Sequence, residues 1–142
     1  MSRNFKFVDH TADIAADLEG DSMEELFSAA TEVFKLSVTD YNCLQTSDSI
    51  EIELTGTSAE ELLVNFLNEI NFYLTMKKWL CCNIVSIKIF NCENNWELSV
   101  ELNGVNLNSD IVLNLEIKSV TYHQMEITKK NNCYHTRVVF DI

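Results

Sequence analysis

The run Ile50-Glu51-Ile52-Glu53-Leu54, followed after Gly56 by Ser58-Ala59-Glu60-Glu61-Leu62, changes its hydrophobic period from two to nearly four within one short stretch. The first five residues alternate apolar and acidic side chains, as a strand with one wet face does. Gly56 ends that strand. Leu63, Phe66, Leu67, Ile70 and Leu74 then recur on one helical face, so a helix is predicted to about Lys77. Ser58 stands at its N-cap and Glu61 three residues on, the capping-box spacing, with acids at the positive end of the helix dipole.

The same pattern occurs earlier in the chain. Ser22-Met23-Glu24-Glu25-Leu26 opens a helix whose apolar face is Met23, Leu26, Phe27, Ala30, Val33 and Phe34, fading over residues 37–40. Strands are predicted before it at residues 4–8 and 14–19, the second ending at Gly20, and a polar loop follows at 41–49. Strand followed by a Ser-x-Glu-Glu-Leu helix therefore occurs twice, a weak internal repeat. Beyond the second helix the pattern is β-like, with strands at 84–90 and 96–102 and a hairpin turn at Asn103-Gly104. After a polar loop at 106–110 comes a long β-type run over 112–128, broken or bulged, then a turn at 129–133 and a last strand at 134–141. The order ββ-α-β-α and then four or five strands, joined by short turns, predicts an α+β fold. An antiparallel sheet would carry two packed helices in a single domain spanning residues 1–142.

With 142 residues, no proline, three glycines and 46% hydrophobic side chains, the chain is sufficient for one core. Its 22 acidic against 10 basic residues give a net charge of −12, with no basic run. That balance argues against direct high-affinity nucleic-acid binding, which rests on phosphate neutralisation. It favours a basic protein surface or hard cations. No secretory signal is read at the start, and no apolar run approaches the ~20 residues of a membrane span, so a cytoplasmic protein without membrane contact is expected. The cysteines, Cys43, Cys81, Cys82, Cys92 and Cys133, are odd in number and lack CxxC spacing. Reduced thiols are expected from them rather than a zinc site, with Cys81 and Cys82 on opposite faces of a strand.

Chemistry-bearing residues concentrate at both ends. Asp9-His10-Thr11-Ala12-Asp13 sets two carboxylates, an imidazole and a hydroxyl between apolar stretches, and the chain closes on Asp141-Ile142. Asp13, Asp141 and the Ile142 carboxylate would supply hard oxygen ligands suited to Mg²⁺, Mn²⁺ or Ca²⁺ if the first and last strands lie together. The plainer alternative has Asp13 capping a turn and Asp141 solvated. His10 could act as an oriented base with Asp9 or Asp13. No nucleophile elbow and no glycine-rich phosphate loop accompanies it, so a self-contained enzyme is not expected. His123 and His135 fall within strand runs and read as structural. Lys118-Ser119-Val120-Thr121-Tyr122-His123 forms a polar stripe in which Lys118 either serves a partner or pairs with an acid.

Asp9-His10-Thr11-Ala12-Asp13, LVNFLNE at 63–69, IKSVTYH at 117–123 and VVFDI at 138–142 together resemble the archease family over nearly the whole chain. The resemblance implies two interlocked strand-helix-strand-strand modules. It also implies a non-catalytic accessory protein that activates an RtcB-type RNA ligase, a GTP- and Mn²⁺-dependent enzyme of tRNA splicing and RNA repair. Activation would promote ligase guanylylation and multiple turnover. The family's metal ligands fall on Asp13, Asp141 and Ile142, with His10, Lys118 and His123 as candidates for partner activation. The alternative role is that of a chaperone for another RNA-acting enzyme, such as a tRNA methyltransferase. The chain departs from the family pattern where Val105 follows Gly104, where residues 106–110 hold no histidine, and where Phe66 replaces a usual tryptophan.

Overall fold

Both predicted capping sequences start helices. In the computed structural model, which describes residues 3–8, 13–46, 48–121 and 125–142, α1 spans Met23–Val38 and α2 spans Ala59–Met76. Ser22 Oγ accepts from the Glu25 N–H and Ser58 Oγ from the Glu61 N–H, each at 3.1 Å. These bonds satisfy donors that the first helical turn leaves free. The Glu61 carboxylate turns back further than expected and accepts from Thr57 Oγ1 at 2.9 Å. Strands β1 (Arg3–Val8) and β2 (Asp13–Gly20) precede α1, and β3 (Asp48–Gly56) lies between the helices. After α2 come β4 (Trp79–Cys92), β5 (Asn95–Asn106), β6 (Ser119–Thr121), β7 (Thr128–Lys130) and β8 (Cys133–Asp141).

Every strand pair is antiparallel, as predicted, but the strands divide between two sheets. One has the order β1-β2-β8-β6, with β7 also on β8, and the other the order β3-β5-β4. Both helices touch both sheets: α1 lies on β1, β2 and β8 and also on β4, and α2 on β3, β4 and β5 and also on β6. The two sheets thus share one core. Phe27 of α1 stacks on Phe66 of α2 at 5.8 Å, and Phe34 meets Phe140 of β8 edge-on at 5.9 Å. Each of these rings is almost wholly buried. Among the described residues, no helix is long and apolar enough to cross a membrane.

Four sequence expectations are corrected. Asn103 and Gly104 are not a turn but lie inside β5, paired on both sides, with Gly104 opposite Asp48 of β3 and Cys81 of β4. A Cβ on Gly104 would stand 2.2 Å from the Leu80 carbonyl and 2.6 Å from the Trp79 ring, so the glycine serves close approach of strands. The β4–β5 hairpin turns instead at Glu93-Asn94, where Glu93 has φ 57°. Among its described residues, the β-type run 112–128 contains only β6, with β7 beginning at its last residue. Part of that run gives its hydrogen bonds to helix ends and side chains instead. The Asn114 N–H donates to the Val38 carbonyl at 2.7 Å, and Asn71 Nδ2 to the Ile117 carbonyl at 2.7 Å. The last strand pairs with the second rather than the first. Finally, Cys43 and Cys82 form a disulfide, with Cα atoms 5.9 Å apart, leaving Cys81, Cys92 and Cys133 free. Burial pushes the Cys81 thiol up to about 12, so that cysteine stays protonated.

Candidate functional site

The β2–β8 register decides which side chains meet. Ile14 pairs with Phe140, Ala16 with Val138 and Leu18 with Thr136, and these residues face the helices. Side chains alternate along a strand, so the intervening pairs share the opposite, outer face. Those pairs are Asp13 with Asp141, Ala15 with Val139, Asp17 with Arg137 and Glu19 with His135. A slip of one residue would expose Phe140 and bury the charged rows, so the apolar inner pairs lock the outer ones in place.

Asp13 therefore stands directly opposite Asp141, each partly exposed, with Ile142 one residue further on. Ser119 of β6 flanks Asp141 on its other side, and the Lys118 N–H donates to the Asp141 carbonyl at 2.7 Å. β6 is held in turn by Asn68 of α2. The Val120 N–H donates to Asn68 Oδ1 at 2.8 Å, and Asn68 Nδ2 donates to the Val120 carbonyl at 3.3 Å. Three of the sequence motifs thus meet around Asp141. Like charges directly opposite each other are unfavourable, and an all-oxygen donor set at a strand end fits a hard divalent cation. Lys118 is exposed and takes part in none of the ion pairs among the described residues. His10 and His123 lie outside the described residues.

Further along the same face, Arg137 Nε and Nη2 hold Asp17 at 2.7 and 3.1 Å. The hydrogen bond to Arg137 holds the Asp17 carboxyl below the usual carboxylate range, with burial opposing. Next comes a cluster that sequence reasoning missed. His135 Nδ1 is 3.5 Å from Glu19 Oε2, and Cys133 joins them so that one ligand atom from each residue lies within 4.8 Å of the others. His135 lies in a strand, as expected, and sits partly exposed on the outer face against Glu19. The alternation Cys133-x-His135 signals one shared face, whereas Glu19 enters only through the β2–β8 register.

The structure is thus of the α+β class, with two antiparallel sheets and facing carboxylates where the second strand begins and the last strand ends. The Archease protein family (MTH1598/TM1083) matches residues 5–142, and the chain belongs to that family. Protein archease of Sulfolobus acidocaldarius is 34% identical over 97% of this chain and 98% of its own length. Protein archease of Archaeoglobus fulgidus is 28% identical over 97% and 98%, and the archease-like protein of Drosophila melanogaster 28% identical over 97% and 90%. Among solved structures, protein 1598 of Methanobacterium thermoautotrophicum superposes with a TM-score of 0.82 at 25% identity, covering 97% of this chain and 98% of its own. The structure described as an archease, possible chaperone, from Thermotoga maritima gives 0.64 at 25% identity, covering 96% of each chain.

Proposed function

We propose that this chain is a non-catalytic, cytoplasmic accessory protein that activates an RtcB-type RNA ligase. Asp13, Asp141 and the Ile142 carboxylate would hold a divalent ion of the Ca²⁺, Mg²⁺ or Mn²⁺ kind. The observation that carries this reading is the register of β2 and β8, which sets Asp13 directly opposite Asp141 beside the chain end. Such an ion, when bound, supplies positive charge that can offset phosphate oxygens during nucleotidyl transfer. The residues of this chain hold the Asp141 backbone in place: the Lys118 N–H, just before β6, donates to the Asp141 carbonyl, and Asn68 braces β6. The net charge of −12 supports docking on a basic, RNA-binding enzyme rather than on RNA itself. His10, Lys118 and His123 are then partner-facing candidates.

The test follows guanylylation of purified ligase with GTP and Mn²⁺, adding wild-type chain or the Asp13→Asn variant. Acceleration by wild type and none by the variant is the expected result. Equal acceleration by both would remove the metal role. No acceleration by either would move the reading to a chaperone of another RNA-acting enzyme, such as a tRNA methyltransferase. The description of the Thermotoga maritima relative as a possible chaperone supports that second reading.

A further inference from the structure

The Glu19–Cys133–His135 cluster lies on the same face as Asp13 and Asp141 but six residues further back along β8, roughly 20 Å at strand rise. It offers one thiol, one imidazole and one carboxylate, a donor set of a different kind from the all-oxygen pair. Hard cations take oxygen, whereas sulfur with nitrogen selects the borderline-soft first-row metals, zinc foremost. We propose that Glu19, Cys133 and His135 form a second metal site, taking Zn²⁺ with three protein ligands and one open position.

Three observations carry the proposal. Glu19 and His135 are directly paired across β2 and β8, so two ligands come from one rigid ladder rather than from loops. Cys133 precedes His135 by two on the same strand and so projects from the same face. The ligand atoms already lie within 4.8 Å of one another, and the Glu19–His135 distance is 3.5 Å. Tetrahedral bonds of about 2.0–2.3 Å set ligand atoms roughly 3.3–3.8 Å apart, so small side-chain rotations close the triangle. Binding releases the Cys133 thiol proton to solvent, and thiolate plus carboxylate then balance the two charges of Zn²⁺. Cys133 Sγ now lies 3.5 Å from the Gly20 carbonyl, and Lys130, exposed on β7, stands opposite Cys133. The contact with the Gly20 carbonyl must yield to the metal. Asp17 is held by Arg137 and does not compete for it.

The purified chain is titrated with Co²⁺, whose thiolate bond gives a near-ultraviolet charge-transfer band, and the Co²⁺ is then displaced with Zn²⁺. One Co²⁺ per chain with that band is expected, retained by Asp13→Asn and by Cys92→Ser and abolished by Cys133→Ser. Glu19→Gln and His135→Ala should each weaken Co²⁺ binding by at least about tenfold, since even partners of ligands matter by 10–100-fold. Alkylation of the wild-type chain gives an independent readout that needs no variant to fold: Zn²⁺ should shield Cys133 and leave Cys92 reactive. A band absent from wild type, a band that survives Cys133→Ser, or Cys133 alkylated equally with and without Zn²⁺ would overturn the site. Loss of guanylylation by Asp13→Asn bears only on the other site, so the two readings fail separately.

Discussion

The ladder sets Asp13 directly opposite Asp141, a placement that like charges disfavour. Replacing either by its amide removes that repulsion without changing shape. Asp141→Asn should therefore raise stability in chelator by a few tenths of a kcal/mol, up to about 1. On the proposed metal reading it should also abolish the gain in stability that a divalent ion would give the wild type. Urea titrations with and without Ca²⁺ read both effects, and an amide variant still stabilised by Ca²⁺ would place the ion elsewhere. Four residues along, Asp17 behaves oppositely. Its folded carboxyl titrates below the unfolded value of 3.8 because Arg137 donates to it. The resulting stability is fully present above that value and is lost as pH falls through the folded one. Asp17→Asn should thus be less stable than wild type near neutrality and equal to it in strong acid. The pair is largely exposed, so the neutral-pH difference should be small and should shrink in high salt.

At the scale of elements, β6 is only three residues long and borders α2 on the edge away from β8. Asn68 acts there as a substitute strand, accepting from and donating to the Val120 backbone. Asn68→Ala should cost about 2 kcal/mol, roughly 1 for each bond lost. It should also speed amide exchange at Val120 and, on the proposed metal reading, weaken divalent binding at Asp141, while an unchanged Val120 amide would show β6 held by β8 alone. What was legible in the sequence follows the range of the forces involved. Both helices were visible with their caps because Ser22 and Ser58 act on residues three positions away. Asn103-Gly104 misled because the local turn preference of that pair is outweighed by a distant demand, the room that Leu80 and Trp79 need beside Gly104. Gly104→Ala should accordingly destabilise by about 1–3 kcal/mol, the usual cost of overpacking. Asp13 and Asp141 stood out as acids near chain-end strands. Glu19, Cys133 and His135 did not, since only the β2–β8 register brings them together.

For the molecule as a whole, the question is how two sheets that share no strand stay joined. The core does most of it, through helices that touch both sheets. Cys43–Cys82 adds a covalent link from the segment after α1 to β4 of the three-stranded sheet, across 39 residues of chain. Cys82 sits where the β4–β5 register shifts, between Cys81 and Asn83, so it is freed from regular pairing while Cys81 turns into the core. A bridge over that span restricts the unfolded chain, and the loop-entropy relation gives about 4 kcal/mol, which measured bridges often fall short of. Cys82→Ser should therefore lower unfolding stability by about 2–4 kcal/mol. The deciding comparison uses a reductant: it should bring the wild type down to the level of Cys82→Ser and leave that variant where it was. If wild type and variant unfold together without reductant, the link adds nothing to what the shared core already holds.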